Sequence, residues 1–458
     1  MSQPLSKRLM PWLIRVLLSS GIALLVIVFV QDAVFQFHFF DRLKLSFIDK
    51  SFAKRGPLPF SKDSLDIVLV TVSEKSDATS PEHFPFPRSY YAHAIRNLNY
   101  AGVRAIGVDL TFEEPDEHGL QHDVELYEAI QKYRNVVVAG KTEIRSDKGT
   151  IRRQNENYHS IFYSADSSVG VVYVPNDEDG LYRRYKAIAK SPGQETYVPT
   201  FAFALMNKYL HLPSTEVCKE EGDYFVLGER RIPKFDDVSM LINYHGLSGQ
   251  TFKQIDIVEV LDDKTFQTNE EINLNTDINT FDDPDYGLLH TNTFKNKIVL
   301  IGPAFPESKD IFPVSIADPN NPDSNLMYGV EIHSNALQTL IHQNFIVRPS
   351  LFLEVLYTIA YSLLSFLVVS ALKQIKARFE FILEIVALVF VAAELYSIIL
   401  LSDFAFSAHN MLIPVVPPIA AVFANYVGSA VYQYLTERKQ KVMIKGMFSQ
   451  YLNPHVVN

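Results

Sequence analysis

The sequence has a single cysteine, Cys218, in 458 residues. It therefore builds neither an intramolecular disulfide framework nor a multi-cysteine metal cluster. It also lacks an excess of positive charge. Lys and Arg number 42 against 52 Asp and Glu, for a formal net charge of −10. A general nucleic-acid binder needs a basic face to displace counterions, so no nucleic-acid partner is expected. There is no G-x-G-x-x-G, no G-x-x-x-x-G-K-[ST] and no H-E-x-x-H, so neither a dinucleotide fold, a P-loop nor a helical zinc pair is signalled. No metal or cofactor site is expected in these residues.

What the chain does have is apolar sequence in four blocks. Residues 16–31 read VLLSSGIALLVIVFVQ, without charge. Residues 355–372 are also uncharged, residues 381–401 are broken only by Glu384 and Glu394, and residues 411–435 are uncharged again. Crossing a hydrocarbon core takes roughly 20 helical residues, so all four are expected to span a lipid bilayer. The flanking charges agree with one orientation. Lys7, Arg8 and Arg15 precede the first block; Lys373, Lys376 and Arg378 separate the second and third; Arg438, Lys439, Lys441 and Lys445 follow the fourth. Residues 402–410, expected to be a loop, have no Lys or Arg. The positive-inside rule then puts both termini in the cytoplasm and residues 32–349 outside it, in a multi-pass protein of a bacterial inner membrane. The expected parts are a cytoplasmic segment 1–15, spans at 16–31, 351–372, 379–401 and 411–435, an exported domain 32–349, and a cytoplasmic linker 436–458. A cleaved signal peptide is the alternative for the first block; no A-x-A-like site follows it.

The exported part reads as an α/β domain beside an α-helical membrane bundle. It carries the acid: 32 basic and 46 acidic residues lie between residues 31 and 349. Residues 66–73 (DIVLVTVS), 103–110 (VRAIGVDL) and 297–301 (KIVLI) are short runs rich in branched side chains, expected as buried strands. Residues 135–140, 169–174 and 239–244 look like further strands. Residues 89–100, 201–210 and 329–342 have helical patterning. Residues 261–286 hold eight acids against Lys264 and are expected to be an exposed insertion loop.

Few residues suggest chemistry. Asp109 ends a predicted strand, where α/β sheets present ligand-binding groups. Asp310 follows another, and with Arg88 the two acids could line one pocket; loop fixation by charge-assisted hydrogen bonds is the alternative. Asp177 and Asp179 lie in Asp177-Glu178-Asp179-Gly180, a turn between strands rather than a calcium loop, with Arg183 and Arg184 placed to pair with them. His333 is expected to serve as a helix-face hydrogen-bond donor. Glu394 falls near the middle of a span, where an acid is costly; it either packs neutrally or takes part in signalling between helices. Pro414, Pro417 and Pro418 are expected to distort the outer turns of the fourth span.

The exported stretch resembles the second CHASE family, the cyclase- and histidine-kinase-associated sensory extracellular domains of bacteria. The resemblance rests on residues 67–73, the FPFPR run ending at Arg88, Gly107-Val108-Asp109, NDEDGLYRR at 176–184, LINY at 241–244, residues 297–302, Asp310 and GVEIHSN at 329–335. It implies a sensor with an unknown extracytoplasmic ligand, followed by three spans. Phe448, Tyr451, Pro454 and Val457 resemble the F-x-x-Y-x-x-P-x-x-V junction before class III adenylate/guanylate cyclase domains. That likeness implies a receptor making cyclic nucleotides as a homodimer, with Mg or Mn bound only by the catalytic domain. Such a domain needs paired metal-binding acids and an Arg/Asn pair that these 458 residues do not contain, so the chain by itself is not expected to be a competent cyclase. The input half of a receptor histidine kinase and a non-enzymatic envelope protein are the alternatives.

Overall fold

The computed structural model describes residues 5–31, 38–141, 145–147, 150–152, 160–190, 197–318, 320–375 and 380–451. Its internal contacts divide the chain into two units: Met1–Ser51 with Arg348–Asn458, and Phe52–Val347.

The second unit is built on one sheet. We label its strands β1 (Ile67–Val72), β2 (Ala105–Thr111), β3 (Val136–Gly140), β4 (Val169–Val171), β5 (Lys253–Asp256) and β6 (Ile298–Pro303). All six run parallel, in the order β5-β1-β6-β2-β3-β4. Val70 lies between Ile255 and Ile301, which fixes the register at the centre. Every residue of β1 and β6 is buried, as a parallel sheet covered on both faces requires. Side chains alternate between the faces. One set, with Val68, Val70, Ile106, Val108, Val138, Val299 and Ile301, packs with Ile95 and Leu98 of Arg88–Tyr100 and Leu126 and Ile130 of Leu120–Tyr133. The other face meets the helices Phe201–Leu210 and Gly329–His342. At Gly170 a Cβ would sit 2.5 Å from Phe201 Cα, so only glycine lets that helix backbone approach the sheet.

Among the described residues the long helices are α1 (Leu5–Val30), α2 (His38–Arg55), α3 (Arg88–Tyr100), α4 (Leu120–Tyr133), α5 (Phe201–Leu210), α6 (Gly329–His342), α7 (Leu351–Leu372), α8 (Glu380–His409) and α9 (Val416–Tyr451). In the first unit α1, α7, α8 and α9 pack together. Among the described residues three helical stretches are long and apolar enough to cross a membrane: Trp12–Val30, Leu351–Leu372 and Phe381–His409. The apolar half of α9 falls short of that standard by composition, and the reason is on its faces. Asn425 and Ser429 are buried, with Asn425 Nδ2 donating to Ser362 Oγ of α7 at 3.0 Å. At Gly428 a Cβ would lie 2.7 Å from Ile22 Cδ1 of α1. Small and polar groups of this kind sit between packed membrane helices. Its outward stripe is apolar: Phe423, Val427, Val431 and Tyr434 are 64, 47, 51 and 64 % exposed.

Three expectations need correction. Residues 402–410 are not a loop, because α8 continues to His409, burying Ala405 and Phe406 before Asn410 turns left-handed. The fourth apolar block is not helical throughout. Its first residues are irregular and α9 begins at Val416, so Pro417 and Pro418 fall in the first turn, where no N–H is missed. Residues 261–286 are only in part an exposed loop: residues 272–278 and 284–286 are exposed. The stretch contains the helix Asn269–Leu274, with a Thr268–Glu271 capping box, and Asp262, Glu271 and Phe281 are buried. The acids serve the local backbone: Glu271 accepts from Ile278 N–H at 2.6 Å and Asp262 from Thr280 N–H at 2.9 Å.

Candidate ligand site at the carboxyl edge of the sheet

The pleat determines where Asp109 goes. It lies two residues beyond Gly107, whose missing side chain faces Leu205 of α5, so Asp109 shares that face at the end of β2. There it meets α6. A Cβ on Gly302, in neighbouring β6, would be 3.2 Å from Asp109 Cβ and 3.0 Å from Val330. The Asp109 side chain is 8 % exposed, and its Oδ2 has no hydrogen-bond partner.

His333 of α6 stands over this acid, with Nε2 3.9 Å from Asp109 Oδ1. Its other nitrogen, Nδ1, is 2.7 Å from the hydroxyl of Tyr185, and that hydroxyl accepts from Ala202 N–H at 3.0 Å. The proton order follows. The Tyr185 O–H donates to Nδ1, so Nδ1 is the acceptor and the neutral ring carries its proton on Nε2, facing Asp109. Burial keeps the ring neutral, lowering its pKa to about 3. His333 is thus an acceptor toward Tyr185, where the sequence suggests a donor; its Nε2, at 3.9 Å, does not hydrogen-bond Asp109. Burial, and then the nearby Asp310, raises the Asp109 carboxyl well above the usual range. Asp310 is also raised by burial, while Gly329 N–H and Lys141 oppose the shift. A Cβ on Gly329 would overlap the Asp310 carboxylate, so that acid occupies the start of α6.

Arg88 does not join this group. Its guanidinium pairs with Asp123 and the Glu114 carbonyl, under the rings of Phe112 and Phe162. It fixes the segment after β2 to α4.

Asp177, Asp179 and Arg183 form a second cluster. Gly180 N–H donates to the Asp177 carbonyl and Asp177 N–H to the Leu181 carbonyl, both at 2.9 Å, closing the turn. As expected, the turn lies between two strands, but these do not pair with each other: β4 belongs to the central sheet, whereas Arg184–Lys186 pairs with Ser239–Leu241. The Arg183 side chain is fully buried, 2.7 Å from Asp177 Oδ2 and 2.6 Å from Asp179 Oδ2. Its guanidinium holds Asp179 below the usual carboxylate range. Arg184 links Asp177 to Asp236. Tyr185, directly after this pair, carries the chain from the ionic turn to His333. Tyr185 and Asp236 escape sequence reading because Tyr185 lies on a strand three residues long, with no usable periodicity, and Asp236 lies in the irregular segment before Ser239–Leu241. Cys218 is buried, which raises its thiol pKa to about 12 and makes it inert.

In the first unit Glu394 is 5 % exposed on α8, and neither carboxylate oxygen has a hydrogen-bond partner. Phe448 and Tyr451 lie in the last turns of α9; Pro454 and Val457 are outside the described residues. Among the described residues no three His, Cys, Asp or Glu side chains are grouped to hold a metal ion.

Comparison with known proteins gives a match to the CHASE2 domain over residues 22–373. No curated protein and no solved structure matched. The match extends from within α1, through the whole α/β unit, to the end of α7. The chain belongs to the CHASE2 family, whose domain is an extracellular sensory domain of signalling receptors.

Proposed function

We propose that the chain is the sensor and relay of a dimeric receptor cyclase in a bacterial inner membrane. The α/β unit detects an extracytoplasmic stimulus at the edge formed by Asp109, Asp310 and His333. Four spans, α9 being the fourth, carry the change to a cytoplasmic helix that leads into a cyclic-nucleotide-forming domain. The observation that carries this reading is the family match, which takes in both apolar flanks of the sensor unit. Chain order adds to it: α6, which bears His333, ends at His342, and α7 begins at Leu351. The polar inner face and apolar outer face of α9 support the fourth span. With four spans both termini share one side, opposite the sensor.

The test is disulfide crosslinking in membranes. Val442 is exposed on the charged end of α9, and Cys218 is inert. Val442→Cys should form dimers across the helix pair. Gly329→Ala, which displaces the Asp310 carboxylate, should change their rate by about threefold or more. No dimer, or a rate insensitive to Gly329→Ala and Asp310→Asn alike, would overturn the reading.

A further inference from the structure

We infer that the Asp109–Asp310 edge binds a ligand through a primary ammonium group. The inference deepens the sensor reading and rests on it. Asp109 Oδ2 is buried and has no donor. A buried acceptor left unpaired is costly, and such a group in a folded protein points to a partner that is bound only at times. Among the described residues no neighbour supplies that donor. His333 Nδ1 is committed to Tyr185, and Nε2 at 3.9 Å is beyond hydrogen-bond distance. Asp310 adds a second carboxylate and is itself only partly buried, so the pair opens to solvent on its side. Lys141 acts on Asp310 electrostatically, and its Nζ lies 3.6 Å from Glu113.

The missing complement is a compact cation with several donors and no acceptor, which describes an ammonium group. Burial first, then Tyr173 and Asp310, raises the Tyr182 hydroxyl, and its ring packs on Phe312 at 4.8 Å. A divalent metal fits less well, since the two acids are not joined by a third ligand of suitable type.

Binding requires the acids to be ionised. The titratable groups facing the pair are His333, Tyr185, Tyr182 and Lys141; burial keeps the His333 ring neutral and holds the protons on both tyrosines. Affinity for an ammonium group should therefore rise with pH.

The probe is methylammonium chloride, titrated into the full chain in detergent micelles while thermal unfolding is followed. A saturable rise in Tm is expected, larger at pH 8 than at pH 5.5. Asp109→Asn and Asp310→Asn should each weaken the apparent affinity at least tenfold, while both variants fold. Tetramethylammonium, sodium acetate and calcium chloride should give no saturable shift. Equal shifts in wild type and both variants, no shift with methylammonium, or a saturable shift with calcium instead would each overturn the inference. The crosslinking experiment separates the two claims. If the ammonium site fails alone, Gly329→Ala still alters the Val442→Cys dimer. If the relay fails alone, methylammonium still binds and the dimer does not respond.

Discussion

Arg183→Ala is expected to destabilise the α/β unit by about 3–5 kcal/mol, the usual cost of removing one partner from a buried ion pair. Arg183 is fully buried, and its guanidinium is the centre to which Asp177 and Asp179 converge. Alanine leaves Asp177 buried, with Arg184 as its remaining cation. It also removes the strut that holds the turn at residues 177–180 against Arg184–Lys186, the strand that positions Tyr185. Arg183→Lys keeps the charge but not the fork, so it should recover only part of the loss. The pH sign follows from Asp179, whose folded pKa is depressed by Arg183. Its contribution is present above the unfolded value and is lost as pH falls through the folded value. The gap between wild type and Arg183→Ala should narrow in acid. Urea-dependent proteolysis of the full chain in micelles, across pH, measures this. A loss below about 1 kcal/mol would mean that the cluster is solvated.

Asp109→Asn is expected to act in the opposite direction and stabilise the unit by about 1–3 kcal/mol near pH 8, by replacing a buried unpaired acid with a neutral isostere. The folded pKa of Asp109 is raised, by burial first and by Asp310 second. For such a group the stability is full below the unfolded value, near 3.9, and is lost as pH rises towards the folded value. The gain from asparagine should therefore grow with pH and vanish near pH 4. The same unfolding measurement, repeated from pH 4 to 8, tests it. A loss of stability independent of pH would mean that the acid is hydrogen-bonded in the folded state. Stability gained at the expense of ligand response is the pattern expected of a binding residue.

The sheet was legible because buried parallel strands leave a plain mark. Runs such as IVLVTV and KIVLI have no other use, and the helix after them starts where the reading puts it. Asp109 was legible for the same reason, as the first polar residue after such a run. What stayed hidden was set by contacts distant in sequence. Tyr185 meets His333 across 148 residues, and nothing near either residue announces it. Arg88 was grouped with the wrong acids because Asp123 reaches it only once α4 has packed on α3. Residues 261–286 misled through composition. Eight acids suggest a solvated loop, but Asp262 and Glu271 are used to tie down backbone N–H groups, a role their charge does not reveal. In sequence the third apolar block ends at Leu401 because Asp403 interrupts the apolar run, yet the helix runs on and Ala405 and Phe406 continue its buried face.

Parity places the C-terminal helix opposite the sensor only if α9, the fourth span, crosses the membrane. Cysteine labelling with a membrane-impermeant maleimide on intact spheroplasts tests this directly. Cys218 is inert, Glu220 lies on the exposed strand Lys219–Glu221, and Lys441 lies on the charged end of α9. Glu220→Cys should be labelled on intact spheroplasts, and Lys441→Cys only after lysis. Labelling of Lys441→Cys on intact spheroplasts would put the helix on the sensor's side and contradict the relay.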